Sequence, residues 1–206
     1  MNFLHNSLIK IANFLYPSKI YGLENICSSN AVICSNHLCM IDVVYLIKYF
    51  NKDTSFVAKK EIFNNKLIGK ILKGFGAVPV DRENVDIRSI LTIVKILKNG
   101  NNLVIFPEGT RNKTGTTDLL PFKGGSMFFA VKTKKPILPV IINKKAKLFR
   151  KNYLIIGKPF ELDEFYGREL DDQTISQMAN FVREKMIELQ TQLKEIISSK
   201  KNKHRK

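Results

Sequence analysis

Apolar residues in the first stretch of the chain fall at helical spacing: Leu4, Leu8, Ile11, Ala12 and Leu15, with Phe3 and Phe14 widening the stripe. Pro17 closes the segment, so residues 3–15 are expected to form an amphipathic helix with Lys10 on its polar side. Such a helix can pack on a domain, or lie in a lipid interface with its aromatic rings among acyl chains. From Ala31 the period changes. Short β-rich runs occur at 31–34, 55–58, 77–80, 102–106, 137–142 and 153–156. Helical patterns fall between several of them, at roughly 40–50, 61–72, 85–98 and 124–132. Asn84 is the expected N-cap of the third of these helices and Gly100 its expected stop.

A long helix is expected from about 172 to 198. There Ile175, Met178, Val182, Met186, Leu189, Leu193 and Ile196 keep a rhythm of three and four. Strands alternating with helices imply an α/β fold: a single domain with a central mixed, largely parallel sheet flanked by helices. The amphipathic helix precedes this domain and the long helix ends it. No internal repeat and no Gly/Ser/Pro linker divides the chain.

Composition narrows the class. Hydrophobic residues make up 44% and charged residues 25% of the 206, which is ordinary for a globular chain and excludes full disorder. The longest clean apolar run, from Pro136 to Ile142, is strand-sized, far below the roughly 18 residues of a membrane span. Residues after Met1 lack a basic start and Lys10 interrupts the apolar stretch, so no signal peptide is expected. Cys27, Cys34 and Cys39 are odd in number and lack metal-ligand spacing, which argues against a disulfide framework or a zinc site. A cytoplasmic protein is expected.

Charge is less ordinary: 34 Lys+Arg against 18 Asp+Glu leave +16. That surplus attracts an anion, whether nucleic acid, a membrane surface or a phosphorylated substrate. Lys, Asn and Ile are abundant throughout, as AT-rich codon usage alone would produce, so only localised charge is informative. The tail from Lys200 to Lys206 holds five Lys/Arg in seven residues and reads as a solvated end or a membrane contact.

His5 and His204 lie in the two ends, leaving His37 as the histidine of the α/β body. It follows the strand at 31–34 and precedes a helix, the place where open α/β sheets build their sites. Asp42 stands five residues on. Within one helix the two would point about 140° apart. With His37 in the loop and Asp42 in the first helical turn they can meet. The carboxylate would then accept from Nδ1–H and leave Nε2 as a general base. A second strand runs into Phe106-Pro107-Glu108-Gly109-Thr110-Arg111, where a tight turn presents a guanidinium suited to phosphate. Glu108 would position a hydroxyl or orient Arg111. A third strand ends in Asp81-Arg82, and a fourth in Lys59-Lys60-Glu61. Lys59, Arg82 and Arg111 thus bring cations to the edge that carries His37. Pro136-Ile137-Leu138-Pro139-Val140 is an apolar strand with no chemistry of its own.

Taken in order, His37-X4-Asp42, Gly76 to Arg82, Phe106-Pro-Glu-Gly-Thr-Arg111 and the proline-bearing strand at 136–140 resemble the glycerolipid acyltransferase family, over about residues 20–160. Within that family the likeness is greatest to the bacterial 1-acylglycerol-3-phosphate acyltransferases. The resemblance implies that His37 is general base toward the free hydroxyl of lysophosphatidic acid and that Asp42 holds the imidazole. The alkoxide then attacks the thioester of acyl-CoA or acyl-carrier protein, giving phosphatidic acid, with no covalent acyl-enzyme and no cofactor. It further implies that Lys59, Arg82, Glu108, Gly109 and Arg111 contact the glycerol phosphate, with Lys60 a rival to Lys59. Residues 1–18 become an amphipathic membrane-associating segment, 19–198 the acyltransferase domain and 199–206 a basic tail. Attachment would be peripheral, at the cytoplasmic face of the cell membrane. Where many members continue with Ser, this chain has Asn112, so a hydroxyl is replaced by an amide that alters acceptor contacts.

Competing readings fare worse. Gly124-Gly125-Ser126-Met127-Phe128 lacks the closing glycine of a hydrolase elbow. Gly74-Phe75-Gly76 is followed by Pro79 where a dinucleotide fingerprint needs its third glycine. A basic nucleic-acid-binding protein would leave the ordered His, Asp, Glu and Arg without a use. Glycerol 3-phosphate or another lysophospholipid is the alternative acceptor.

Overall fold

A computed structural model describes residues 3–26, 28–50, 54–81 and 87–203. Its seven strands are β1 (Ser18–Tyr21), β2 (Val32–Ser35), β3 (Thr54–Lys59), β4 (Ala77–Val80), β5 (Asn102–Ile105), β6 (Ile137–Ile142) and β7 (Asn152–Ile156). They form one sheet in the order β1-β7-β6-β2-β5-β3-β4. The five strands β6, β2, β5, β3 and β4 run parallel; β7 pairs antiparallel with β6, and β1 runs parallel to β7. The sheet is therefore mixed and largely parallel, as its apolar, β-branched runs require when both faces are covered.

The helices are α1 (Phe3–Leu15), α2 (Ile41–Phe50), α3 (Lys66–Gly74), α4 (Ile87–Lys98), α5 (Phe128–Thr133) and α6 (Asp172–Lys203). Alternate residues of the central strands serve opposite faces. Val32, Cys34, Leu103 and Ile105 meet α4, α5 and α6 through Ile93, Leu97, Ala130, Met178, Val182 and Met186. Ile33, Val104 and Leu138 meet Leu46 and Phe50 of α2 on the other face. The three-layer arrangement follows from the period-two burial of the strands.

Local chemistry sets several boundaries. Gly100 ends α4 with φ at +86°: its N–H donates to Leu97 O at 3.3 Å, and Asn101 N–H to Ile96 O at 3.2 Å. That pair of bonds is a Schellman closure, which favours glycine at the left-handed position. The helix expected at 61–72 is in fact two elements, a 3-10 turn at Lys60–Asn64 and then α3. Asn65 separates them in extended backbone, and its side chain accepts from Leu67 N and Ile68 N as an N-cap. The segment at 124–132 likewise opens in a 3-10 turn, Gly124–Ser126, before α5. β1 lacks a strand-like pattern in four residues. It forms because Ser18 to Tyr21 pair in register with Asn152 to Ile155, with Tyr21 stacked on Tyr153 at 6.4 Å. The tail is not a frayed end up to Lys203, since α6 continues to that residue, and Lys200 Nζ donates to Tyr21 Oη at 2.9 Å. Arg82, Asn84, Cys27 and His204 lie outside the described residues.

Candidate active site

The strands next to β2 in the sheet, β5 and β6, are later ones in the chain, so the loop leaving β2 opens at a point where connections diverge, a usual place for a ligand crevice. That loop is held by buried polar groups. Asn36 Nδ2 donates to Ile142 O at 3.0 Å and Asn36 Oδ1 accepts from Ile142 N at 2.8 Å, fastening the residue before His37 to β6. Asp42, in the first turn of α2 and fully buried, reaches back to His37. Its Oδ2 accepts from Leu38 N at 2.5 Å, Cys39 N at 2.7 Å and His37 Nδ1 at 3.0 Å. A carboxylate only accepts, so Nδ1 carries the ring proton and Nε2 the lone pair. Phe106 stacks on the imidazole, with centroids 4.0 Å apart and planes inclined by 20°.

Neither described cysteine offers a nucleophile. Complete burial pushes the Cys34 thiol up to about 12. Burial, followed by the neighbouring Asp42 charge, also raises Cys39, whose Sγ donates to Asp42 Oδ1 at 3.4 Å.

The loop after β5 braces the same histidine. Glu108 is buried, and both its oxygens are occupied: Oε1 accepts from His37 N at 2.9 Å and Oε2 from Leu120 N at 3.3 Å. Burial raises its carboxyl above the ordinary range, opposed by those two amides. Through these two amides Glu108 ties the loop after β5 to the loop after β2 and to Leu120. Gly109 turns the chain at φ +67°, and a Cβ there would lie 2.8 Å from the Lys123 side chain. Asn112 also faces inward. Its N–H donates to His37 O at 2.7 Å, its Oδ1 accepts from Thr114 N and Oγ1, and its Nδ2 donates to Asp118 O at 2.8 Å. The amide therefore shapes a loop through its own hydrogen bonds.

Of the expected cations, Lys59 lines the same groove as His37, with its Nζ 3.6 Å from Glu61, while Lys60 sits exposed on the following turn. Arg111 is exposed, one residue before the Asn112 amide that binds His37 O. β4 ends at Val80 opposite Lys59, and Arg82 falls outside the described residues.

An apolar groove of about 450 Å³ opens beside His37. Ile41, Val44 and Ile47 of α2 form one side, Phe56 and Ala58 of β3 the floor, and Ile71, Leu72 and Phe75 the far side; Ala12 of α1 closes over it. No sequence pattern separates these residues from core. Asn36 and Phe106 were visible only as neighbours of the chemical residues. Among the described residues no cluster of His, Cys, Asp and Glu could hold a metal ion, and no helix is long and apolar enough to cross a membrane.

A His–Asp pair at the end of a parallel strand, beside an apolar groove, is an arrangement able to activate a hydroxyl for group transfer. Residues 17–143 match the model of the Acyltransferase family, and the chain belongs to that family. It is 33% identical over 201 residues to a 1-acyl-sn-glycerol-3-phosphate acyltransferase of Bacillus subtilis, covering 94% of this chain and 98% of that one. It is 32% identical over 170 residues to the Cocos nucifera protein of the same name, covering 81% of this chain and 54% of that relative, so it spans about half the length of the plant protein. Its fold matches the crystal structure of the 1-acyl-sn-glycerophosphate acyltransferase PlsC from Thermotoga maritima, with a TM-score of 0.63 and 25% identity over 89% of this chain and 78% of that one.

Proposed function

We propose that the protein transfers an acyl group from acyl-CoA or acyl-carrier protein to the free hydroxyl of 1-acylglycerol 3-phosphate, forming phosphatidic acid for phospholipid synthesis. The observation that carries this reading is the His37–Asp42 pair set at the mouth of the apolar groove. His37 Nε2 takes the acceptor hydroxyl proton as its oxygen attacks the thioester carbonyl. The tetrahedral intermediate collapses, expelling the thiolate, which recovers the proton from the imidazolium. Asp42 stabilises that imidazolium and fixes the tautomer that makes Nε2 the base. The thioester supplies the driving force, so the chain's own residues suffice without a cofactor.

The groove receives an acyl chain, whose methylenes each gain about 0.8 kcal/mol on leaving water. Lys59, Arg82, Glu108, Gly109 and Arg111 are the residues that the family resemblance assigns to the glycerol phosphate of the acceptor. Residues 1–18 and the basic tail hold the protein peripherally on the cytoplasmic face of the cell membrane. The test is transfer from an acyl thioester to lysophosphatidate by wild type and His37→Ala. Activity in the first and a loss of at least about a hundredfold in the second is expected. Equal activity in both would sink the assignment of the base.

A further inference from the structure

Between β6 and β7 the chain makes a tight turn that ordinary folding economy would not choose. Arg150 N–H donates to Lys147 O at 3.1 Å, which puts Leu148 and Phe149 at the two central positions. Phe149 has φ at +56°, in the left-handed region where a turn normally takes Gly or Asn at that place. Both side chains are turned outward, Leu148 55% and Phe149 63% exposed. The turn is held and not loose: Phe149 N–H donates to Leu15 O at 2.7 Å, and Asn152 Nδ2 donates to Lys144 O at 2.6 Å across its base. Phe149 meets Phe14 of α1 edge to face at 5.8 Å, and Phe14 is itself 74% exposed.

Around this apolar tip stand Lys144, Lys145, Lys147, Arg150 and Lys151, all exposed, with no acid between Asn143 and Lys151. Four of them, with Lys113, surround a hollow of about 330 Å³. Exposed aromatic surface and a one-signed rim are each unfavourable in water, and both become favourable at one kind of surface. We propose that the Lys144–Lys151 turn inserts Leu148 and Phe149 into an anionic bilayer, forming an anchor that is continuous with Phe14 of α1 and separate from the tail. The rim lysines then meet lipid phosphates at headgroup level. α1 joins the two places, since Ala12 lines the acyl groove while Phe14 touches the turn. The proposal rests on the reading above that the substrates are membrane lipids.

The chain contains no tryptophan, so Phe149→Trp supplies a single reporter. With the full-length protein, vesicles of phosphatidylcholine and phosphatidylglycerol should shift its emission to the blue, and brominated acyl chains should quench it. An emission that stays fixed while the protein co-sediments with vesicles would overturn the proposal. So would an emission that responds to an acidic acyl-carrier protein and not to vesicles. Phe149→Asn separates anchoring from folding, because Asn tolerates the left-handed backbone. It should melt no lower than wild type yet bind these vesicles roughly tenfold more weakly; undiminished binding refutes the anchor. Lys144→Gln, Lys145→Gln and Lys147→Gln together should erase the preference for anionic over neutral vesicles, and a preserved preference counts against the rim. Vesicle binding is read without turnover, so a protein that fails to acylate lysophosphatidate would indict the proposed reaction separately.

Discussion

Replacing Asp42 by Asn removes the charge beside His37 while leaving an oxygen for the donors that converge there. Two backbone amides and Nδ1 all point at Oδ2, so the amide oxygen of Asn takes that position and its NH2 takes the place of Oδ1, facing Cys39 Sγ. The imidazole therefore keeps its tautomer, and what is lost is the attraction for the imidazolium formed during transfer. At 3.0 Å and an effective dielectric of about 20 that attraction is about 5 kcal/mol. The amides that share the carboxylate and the 14% exposure of the His37 side chain reduce it to about half, 2–3 kcal/mol, or roughly 30- to 160-fold in rate. Thiol release from acyl-CoA in the presence of lysophosphatidate measures it, alongside a thermal melt. Asp42→Asn should melt close to wild type. Asp42→Ala should melt far lower, because it strands the buried Leu38 and Cys39 amides at about 1–3 kcal/mol each. A folded Asp42→Asn enzyme that keeps more than about half its kcat/KM would refute the electrostatic role of Asp42.

Glu108 holds its proton more tightly in the native than in the unfolded chain. Its titration therefore lowers stability as pH rises from about 4.5 through the raised native value; urea melts of Glu108→Gln should lack that slope, and an unchanged slope would mean Glu108 is not its source. Gly124 admits α6, since a Cβ there would lie 2.0 Å from Ile175 Cγ2 and 2.6 Å from Ile175 O. Gly124→Ala should cost about 1–3 kcal/mol and lower Tm by several degrees, read by differential scanning calorimetry. Arg111→Ala should raise KM for a phosphorylated acceptor far more than for the thioester donor, and steady-state kinetics with each substrate varied in turn would show equal damage if Arg111 served the fold alone.

Fold and site were legible to different depths. The central strands announce themselves because β2, β5 and β6 are buried on both faces and so are apolar but for Ser35 and Asn102 at their ends. β1 stays hidden because its four residues are strand-like only through their partner, β7. Asp42 could be paired with His37 from spacing, since a loop residue and a first-turn residue can meet. The amide partners of Glu108 were hidden: a carboxylate three residues before an arginine looks the same whether it faces solvent or the backbone of a distant loop. The loop hydrogen bonds of Asn112 were hidden in the same way. The groove is invisible because Ile41, Val44, Ile47 and Phe56 are ordinary core types, and only the positions of α2 and α3 leave space between them. The run from Lys144 to Lys151 reads as solvated charge until its turn geometry sets an aromatic ring at its tip.

The buried polar residues around His37 share one property that explains the site. Asn36, Asp42, Glu108 and Asn112 are all buried, and all spend their side-chain or backbone bonds on the five residues from Ser35 to Cys39 or on the loop that braces them. Burying such groups gains little net stability, because each bond mainly offsets the water it displaces. A core of the same volume could be made more stable with apolar side chains. What the arrangement supplies instead is position: β6, α2, the loop after β5 and the 112–118 loop fix one imidazole from four directions, with Phe106 against its face. A general base must sit within hydrogen-bond reach of one proton while a long, flexible acyl chain and a mobile lipid find their places around it. Neither substrate can supply that rigidity, so the protein must, and it does so with buried polar bonds whose worth is geometric.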